Sequence, residues 1–520
     1  MRLLNILLVI SFSGMAAFLC RGSSEKIYLI LSCFIALIFG FLIIKFLYKD
    51  MFRKISVSKI LLSFVVTIYS GNVFYSYHFG EFSEYYKLSS FNLFISSVLF
   101  IFAFTSLTYY FIEKIWPYIF RFFKSLSKNE KRYVVGLFIF AFIITAIVYN
   151  LTNAFYSAGF YDIIYTSDSG EIFAKDTFFN VSSSQNDMPR QPLFGVFSLP
   201  FALISKVLSN VLFFVPNSYP ICTTVIQIVL LGIISIMICR IFNLKKQHER
   251  NFIMIYMSSF MVISFAFIIE QYIISLFYLI LVLYVYYVLK NKNNYAYIGS
   301  VGSLTTSVAF LPFVTSEKDV KSYIGATLKC LLIGIGIFAI FGQLPLIFNF
   351  VDSLVNIFNS FGGDSVPFKG RIIQWISFIR NIFVTAPASL YPGRFSEYGY
   401  YLDDIYNISK FGILILIICL ISLILNRKNK QIKVLLGWIL YSFLILVILG
   451  WGTSENGLNL YSLYFGWPFV VLIYMFLNKV FKNSEVLNIM IYIITICLLV
   501  INVLGFLNIV DFGLTYYPIN

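Results

Sequence analysis

Charge is what this sequence has least of. Only 12 % of its 520 residues are charged, whereas 60 % are apolar, and a soluble domain carries roughly twice that charged fraction. Histidine is close to absent, at two residues, which excludes a His-rich metal centre. The seven cysteines (20, 33, 222, 239, 330, 419 and 497) lie inside apolar runs or at their edges. No spacing among them suggests a disulfide framework or a zinc site. No stretch has the composition of a soluble domain. A good signal-peptide cleavage site is also missing around Ala16-Ala17-Phe18-Leu19-Cys20, so an uncleaved first helix is expected.

Long apolar runs are what the sequence has instead. Runs of about 17–22 residues recur, each long enough to span a hydrocarbon core. Thirteen crossings are expected, at 3–20, 27–48, 60–78, 91–112, 134–150, 218–239, 252–269, 272–289, 330–349, 411–426, 434–451, 462–478 and 486–507. With the N-terminus inside, the inner segments collect most of the 38 Lys and Arg but a minority of the 23 Asp and Glu, the positive-inside asymmetry. The loops 49–59, 114–132, 240–250 and 427–433 are basic whichever way the ambiguous segments are set. The net charge of +15 therefore reads as topology and contact with anionic lipid, not as nucleic-acid binding. The expectation is an all-α, polytopic, multi-pass protein of the cell membrane with a cytoplasmic N-terminus.

Two apolar segments do not fit simple crossings. Residues 192–216 are expected to lie along, or dip into, the outer face. Residues 297–314, with Gly299, Gly302 and Pro312, suit a re-entrant hairpin, an irregular backbone tolerated only where protein or a wet cavity covers it. Three outer regions remain, at about 152–219, 350–410 and 452–461. In the second, 368–385 carries Gly370, Gln374, Ser377 and Asn381 on one face and Ile372, Ile376, Ile379 and Phe383 on another. That pattern, flanked by Arg371 and Arg380, suits an interfacial helix in the headgroup plane. The chain divides into an N-terminal four-helix region (1–133), a core with the first outer loop (134–350), the second outer loop (351–410) and C-terminal helices (411–520).

The first outer loop carries Asp168 and Glu171, three apart and so on one face if a helix begins there. Met188-Pro-Arg190-Gln191-Pro192-Leu193-Phe194 follows and opens an apolar stretch. Phe265-Ala-Phe-Ile-Ile-Glu270-Gln-Tyr272 puts an acidic residue at the turn between two closely spaced helices. On spacing alone these are solvated carboxylates and a proline turn. The arrangement nevertheless resembles the GT-C glycosyltransferases, such as protein O-mannosyltransferases and the aminoarabinose transferases of lipid A. In those families a membrane helix, an acidic outer loop and a basic-x-Pro-Leu motif follow one another, and a second carboxylate often sits at a later outer turn. The resemblance covers about 134–350. It departs in lacking an adjacent acidic pair in the first loop, in the four helices before the core, and in having no soluble C-terminal domain.

The resemblance implies transfer of a sugar from a polyprenyl-phosphate donor to a surface glycan, a teichoic-acid-like polymer or a lipid, on the outer side of the membrane. An inverting displacement needs one general base and no strong acid, because phosphate leaves readily as an anion, unlike the sugar alkoxide of a glycosidase. Asp168 is the candidate base, with Glu171 or Glu270 orienting the acceptor or raising the base's pKa. Arg371, Arg380 and Arg394 are candidates for the donor phosphate, and Arg190 for supporting the loop. Glu455 and Tyr461, in the outer segment 452–468, are candidate sugar contacts; the plainer reading there is an aromatic belt. The plainer reading of Glu270 is a carboxylate in interfacial water, and that of Arg371 and Arg380 is contact with lipid phosphates. The resemblance leaves a catalytic metal open, since only some of these families use one, and the adjacent Asp403-Asp404 pair could hold a divalent cation. His78 is assigned no task. The rival class is a transporter or flippase for a lipid-linked glycan, and a glycan polymerase or ligase would share the donor chemistry.

Overall fold

The computed structural model describes residues 2–19, 26–46, 56–69, 90–156, 163–165, 167, 169–174, 191, 194–244, 246–291, 296–304, 306–307, 328, 332, 335–336, 339–340, 366–392, 397–403, 407–453, 456–481 and 483–519. About 81 % is helical. The order is α1 (Arg2–Leu19), α2 (Lys26–Phe46), α3 (Val57–Tyr69), α4 (Ser90–Lys114), α5 (Trp116–Ser125), α6 (Lys128–Leu151), α7 (Ser169–Ala174) and α8 (Phe194–Val211). Next come α9 (Ser218–Ile241), α10 (Lys246–Ser258), α11 (Phe260–Phe267), α12 (Tyr272–Tyr287), α13 (Ala296–Ser303) and α14 (Phe368–Phe383). Strands β1 (Ala388–Pro392) and β2 (Tyr398–Leu402) precede α15 (Lys410–Leu425), α16 (Ile432–Phe443), α17 (Ser462–Val480) and α18 (Ser484–Tyr516).

Among the described residues, five stretches are long and apolar enough to cross a membrane: Ser97–Ser125, Lys128–Leu151, Ser218–Ile241, Leu458–Val480 and Ser484–Tyr516. A sixth is reached if α10 and α11, bent by 60° at Ser259, count as one broken span. Shorter apolar stretches of 10–17 residues include Asn5–Ala16 within α1 and Ile30–Leu42 within α2. Burial sorts them. α9 and α12 are buried on nearly every side. α18 buries a single stripe, Leu487, Ile491, Thr495, Leu498, Asn502, Phe506, Ile509 and Gly513, and turns Ile489, Ile493, Ile496, Val500, Leu504 and Leu507 outward. So continuous an apolar surface does not face water in a soluble monomer. It suits lipid, and the protein is a multi-pass membrane protein.

Hydrogen bonds define two ends of the bundle. At the basic end Arg240 pairs with Glu130 at 2.6 Å, Asn291 donates to the Tyr118 hydroxyl at 3.1 Å, and Asn251 donates to Asn488 at 2.6 Å. Residues 114–132, expected as a basic loop, instead form α5 and the start of α6. Ser127 and Glu130 cap α6 reciprocally, each satisfying an orphan N–H of the helix start. At the opposite, loop-bearing end the Thr152 hydroxyl donates to Tyr517 O at 2.7 Å and the Asn217 amide to Tyr149 O at 3.1 Å. The hairpin of β1 and β2, antiparallel with Leu390 opposite Tyr400, lies here. It is the one departure from an all-helical fold among the described residues.

Helix breaks are satisfied by side chains, as a low-dielectric surrounding demands. Pro468 lacks the N–H that would bond Tyr464 O, and Trp438 Nε1 donates to that carbonyl at 2.9 Å. Asn502, fully buried, donates to Ser258 O at the α10–α11 bend (2.8 Å) and to Phe383 O at the end of α14 (2.7 Å). Its oxygen accepts from Thr385 N at 2.9 Å. One side chain thus joins three elements.

Other expectations change in form. The segment 192–216 holds helix α8, with Pro200 inside it. Of the segment expected as a re-entrant hairpin, 297–304 and 306–307 fall among the described residues; they include most of α13, with Gly299 against the Tyr278 ring. The crossing expected at 330–349 lies almost wholly outside them. α14, expected as an interfacial helix in the headgroup plane, turns Gln374, Ser377 and Asn381 inward and packs against α11, α15, α17 and a π-helical turn, Leu444–Ile448, that continues α16.

Candidate functional site

Glu270 sits where a span is interrupted. α11 ends at Phe267 with Ile268 extended, and α12 begins only at Tyr272. The carbonyls freed by the break are taken up by neighbours: the Tyr149 hydroxyl donates to Phe267 O, and Gln227 Nε2 donates to Glu270 O at 2.8 Å. The Glu270 side chain is 2 % exposed, so the plainer reading, a carboxylate in interfacial water, fails on position. One carboxylate oxygen accepts from Gln271 N at 3.3 Å. Burying a carboxylate is costly unless function or pairing sustains it.

The segment 451–461 meets this turn, and α14 meets that segment. The Tyr272 ring stands edge-on to Tyr461, centroids 5.4 Å apart, and Trp451 Nε1 donates to the Tyr461 hydroxyl at 2.6 Å. Gly452, at φ +74°, lies against the Tyr461 ring, where a Cβ would come within 2.8 Å. From α14, Gln374 Nε2 donates to Thr453 O at 3.3 Å. Glu270 and Tyr461, far apart in sequence, therefore belong to one polar junction, linked through Tyr272.

Of the four candidate arginines the two that are described, Arg371 and Arg380, are engaged with the protein. Arg371 donates to Val366 O at 2.8 Å and, through Nη1, to Ile448 O at 3.1 Å. It bonds the carbonyl at the end of the π-helical turn and lies over Gly450, whose φ of +73° disfavours a side chain. Arg380 donates through Nε to Asn381 Oδ1 at 3.0 Å. Asp168, Arg190, Arg394 and Glu455 lie outside the described residues, as do the Glu171 side chain, Asp404 and His78; the Glu171 backbone belongs to α7.

The chain around Asp168 is nonetheless anchored. Tyr165 N donates to Tyr400 O at 3.0 Å and Tyr400 N to Ile163 O at 2.7 Å, so the segment after α6 adds a short parallel bridge to β2. Tyr165 adopts φ +52°, a left-handed conformation unusual for a bulky residue. Its ring lies 6.0 Å from both Phe260 and Tyr400. Burial pushes its phenol pKa well above the ordinary value. Ser167 and Ser169, flanking Asp168, are each 2 % exposed. The loop is thus fixed to the first residue of α11, the helix that leads to Glu270.

Asp403 closes the hairpin, accepting from the Ser389 hydroxyl at 2.7 Å and the Tyr391 hydroxyl at 3.2 Å. That bond to a carboxylate raises the Tyr391 phenol pKa. No cluster of three His, Cys, Asp or Glu side chains suited to a metal occurs among the described residues. Sequence reasoning passed over Gln227, Gln271, Asn459 and Asn502. For Gln227 and Asn502 the available signal was a lone amide in an apolar run, which is costly there and usually has a task. No protein-family model, curated protein or solved structure matches the chain.

Proposed function

We propose that the protein is an integral-membrane glycosyltransferase of the GT-C type, with thirteen crossings, a cytoplasmic basic end and a reaction site at the outer, loop-bearing end. It takes a sugar from a polyprenyl-phosphate donor and passes it to a surface glycan, a teichoic-acid-like polymer or a lipid. An acceptor hydroxyl attacks the anomeric carbon. The bond from that carbon to the phosphate oxygen breaks, and polyprenyl phosphate leaves with the electron pair. Asp168 takes the hydroxyl proton, while Glu270 orients the acceptor.

The observation that supports this reading is the buried Glu270 at the interrupted span, joined by aromatic and amide side chains of two outer regions. A lipid-anchored donor presents its reactive carbon at such a depth. Arg371 and Arg380 weigh less than the sequence suggests, because both already serve protein acceptors; phosphate contact falls more naturally to Arg394 and Arg190. One observation favours the transport class: a helix pair bent by 60° with a buried carboxylate at the next break is also how transporters build midplane sites. Purified protein in detergent separates the two, since detergent removes the compartments a flippase needs. A transferase consumes polyprenyl-phosphate sugar only when acceptor is present and releases the lipid phosphate. Intact donor across a panel of sugars and acceptors would favour transport.

A further inference from the structure

The junction around Glu270 holds polar atoms that the fold does not use. Asn459 lies in the 3-10 turn Asn456–Tyr461; its side chain is 2 % exposed, and neither its amide nitrogen nor its amide oxygen has a hydrogen-bond partner among the described residues. Gln374 Oε1, Gln271 Oε1 and Ser462 Oγ are likewise buried without partners, on residues no more than 3 % exposed. Buried polar groups are nearly always paired, because leaving one unpaired destabilises the fold. These four residues come from three elements that meet through Tyr272, Tyr461 and Thr453: the α11–α12 turn, α14, and the segment leading into α17. A junction that keeps several such atoms idle is one that a polar ligand completes.

The chemistry of the idle atoms narrows the ligand. Of the five idle atoms four belong to side-chain amides, three oxygens that accept and one nitrogen that donates, and the fifth is a hydroxyl that does both; together these neutral groups donate and accept. Sugar hydroxyls do the same. The Tyr272 and Tyr461 rings add apolar faces of the kind that fix a ligand's orientation in a mostly apolar pocket. We propose that Gln271, Gln374, Asn459 and Ser462, with the Tyr272 and Tyr461 rings, form a subsite for the ring of an uncharged sugar. The inference rests on the carbohydrate reading of the site given above and deepens it: the transferred group is a neutral hexose or N-acetylhexosamine, and a uronic acid, beside the Glu270 carboxylate, is disfavoured.

The test measures binding without turnover. Protein in nanodiscs is titrated with the octyl glycosides of glucose, galactose, mannose and N-acetylglucosamine, and with octyl glucuronide. All are kept below their micellar concentrations, and tryptophan emission is followed, because Trp451 contacts Tyr461. At least one neutral glycoside binds saturably, and octyl glucuronide binds more weakly. Asn459→Leu weakens that binding about 3–10-fold, the worth of one or two neutral hydrogen bonds. The same variant leaves the ligand-free melting temperature unchanged or raised, because it removes a buried amide that had no partner. Ser462→Ala, a smaller change, weakens binding about 2–5-fold. A lowered ligand-free melting temperature for Asn459→Leu makes the residue structural and overturns the proposal. So do absence of saturable binding, preference for the glucuronide, or full affinity in both variants. Asn459-dependent binding without donor turnover leaves the subsite standing and removes the transferase. Acceptor-dependent turnover indifferent to both substitutions keeps the transferase and removes the subsite.

Discussion

Asn502 and Glu270 show how much a single polar residue does in a helix-rich membrane interior. Each lies in or beside a run of apolar residues, and each is buried. Glu270 stood out in the sequence because it is an acid at the turn between two apolar spans. Asn502 did not, because an amide within the apolar run of α18 gives no hint of which distant carbonyls it reaches. Its partners, Ser258 O, Phe383 O and Thr385 N, sit at the bend between α10 and α11 and at the end of α14. Asn502→Leu leaves all three without their side-chain partner. Interhelical hydrogen bonds in membranes average about 0.6 kcal/mol, and orphaned buried groups add more. The substitution should therefore cost about 2–3 kcal/mol, read as a lowered melting temperature in detergent. A melting temperature equal to that of the native chain would contradict this role.

At the scale of elements, regular helices were legible and irregular ones were not. The crossings at 134–150, 218–239 and 462–478 correspond to α6, α9 and α17 because length and apolarity alone define them. α14 was expected from its 3.6-residue periodicity, but periodicity shows only that two faces differ. It does not say that the polar face meets Thr453 and Asn407 rather than water. The hairpin was read as loop although Tyr398-Gly-Tyr-Tyr-Leu402 favours a strand, and its bridge to Ile163–Tyr165, more than two hundred residues earlier, is a pairing no local pattern announces. The π-helical turn after α16 depends in turn on Arg371 and Gly450. Gly450→Ala places a methyl group 2.8 Å from the Arg371 guanidinium carbon at φ +73°. This should cost about 1–2 kcal/mol and loosen the turn that leads to Trp451 and Tyr461. Gly136→Ala, with nothing within 4 Å of the added carbon, is the matched control, with stability unchanged or raised. Equal melting temperatures for the two variants would contradict the assignment.

For the whole molecule the organising fact is its two ends: one basic and tied through Arg240, Asn251 and Asn291, the other carrying the hairpin, the first outer loop and the end of α18. The proposed orientation puts the basic end in the cytoplasm. In a chain freed of its native cysteines, single cysteines at Ser389 and Asp168 should label from outside intact cells, and those at Lys128 and Lys430 only after permeabilisation. Labelling of positions 389 and 430 from the same side would contradict the scheme. The sequence made this polarity legible through its basic loops, but the junction of Glu270 with Tyr461 required the fold. The most direct measurement of the central claim is acceptor-dependent release of polyprenyl phosphate by purified protein carrying Asp168→Asn, with donor binding followed in parallel. Loss of a general base should lower transfer by about 10²–10⁴ while donor affinity stays near that of the native chain. Transfer at the native rate would remove Asp168 from the reaction, and the proposed mechanism with it.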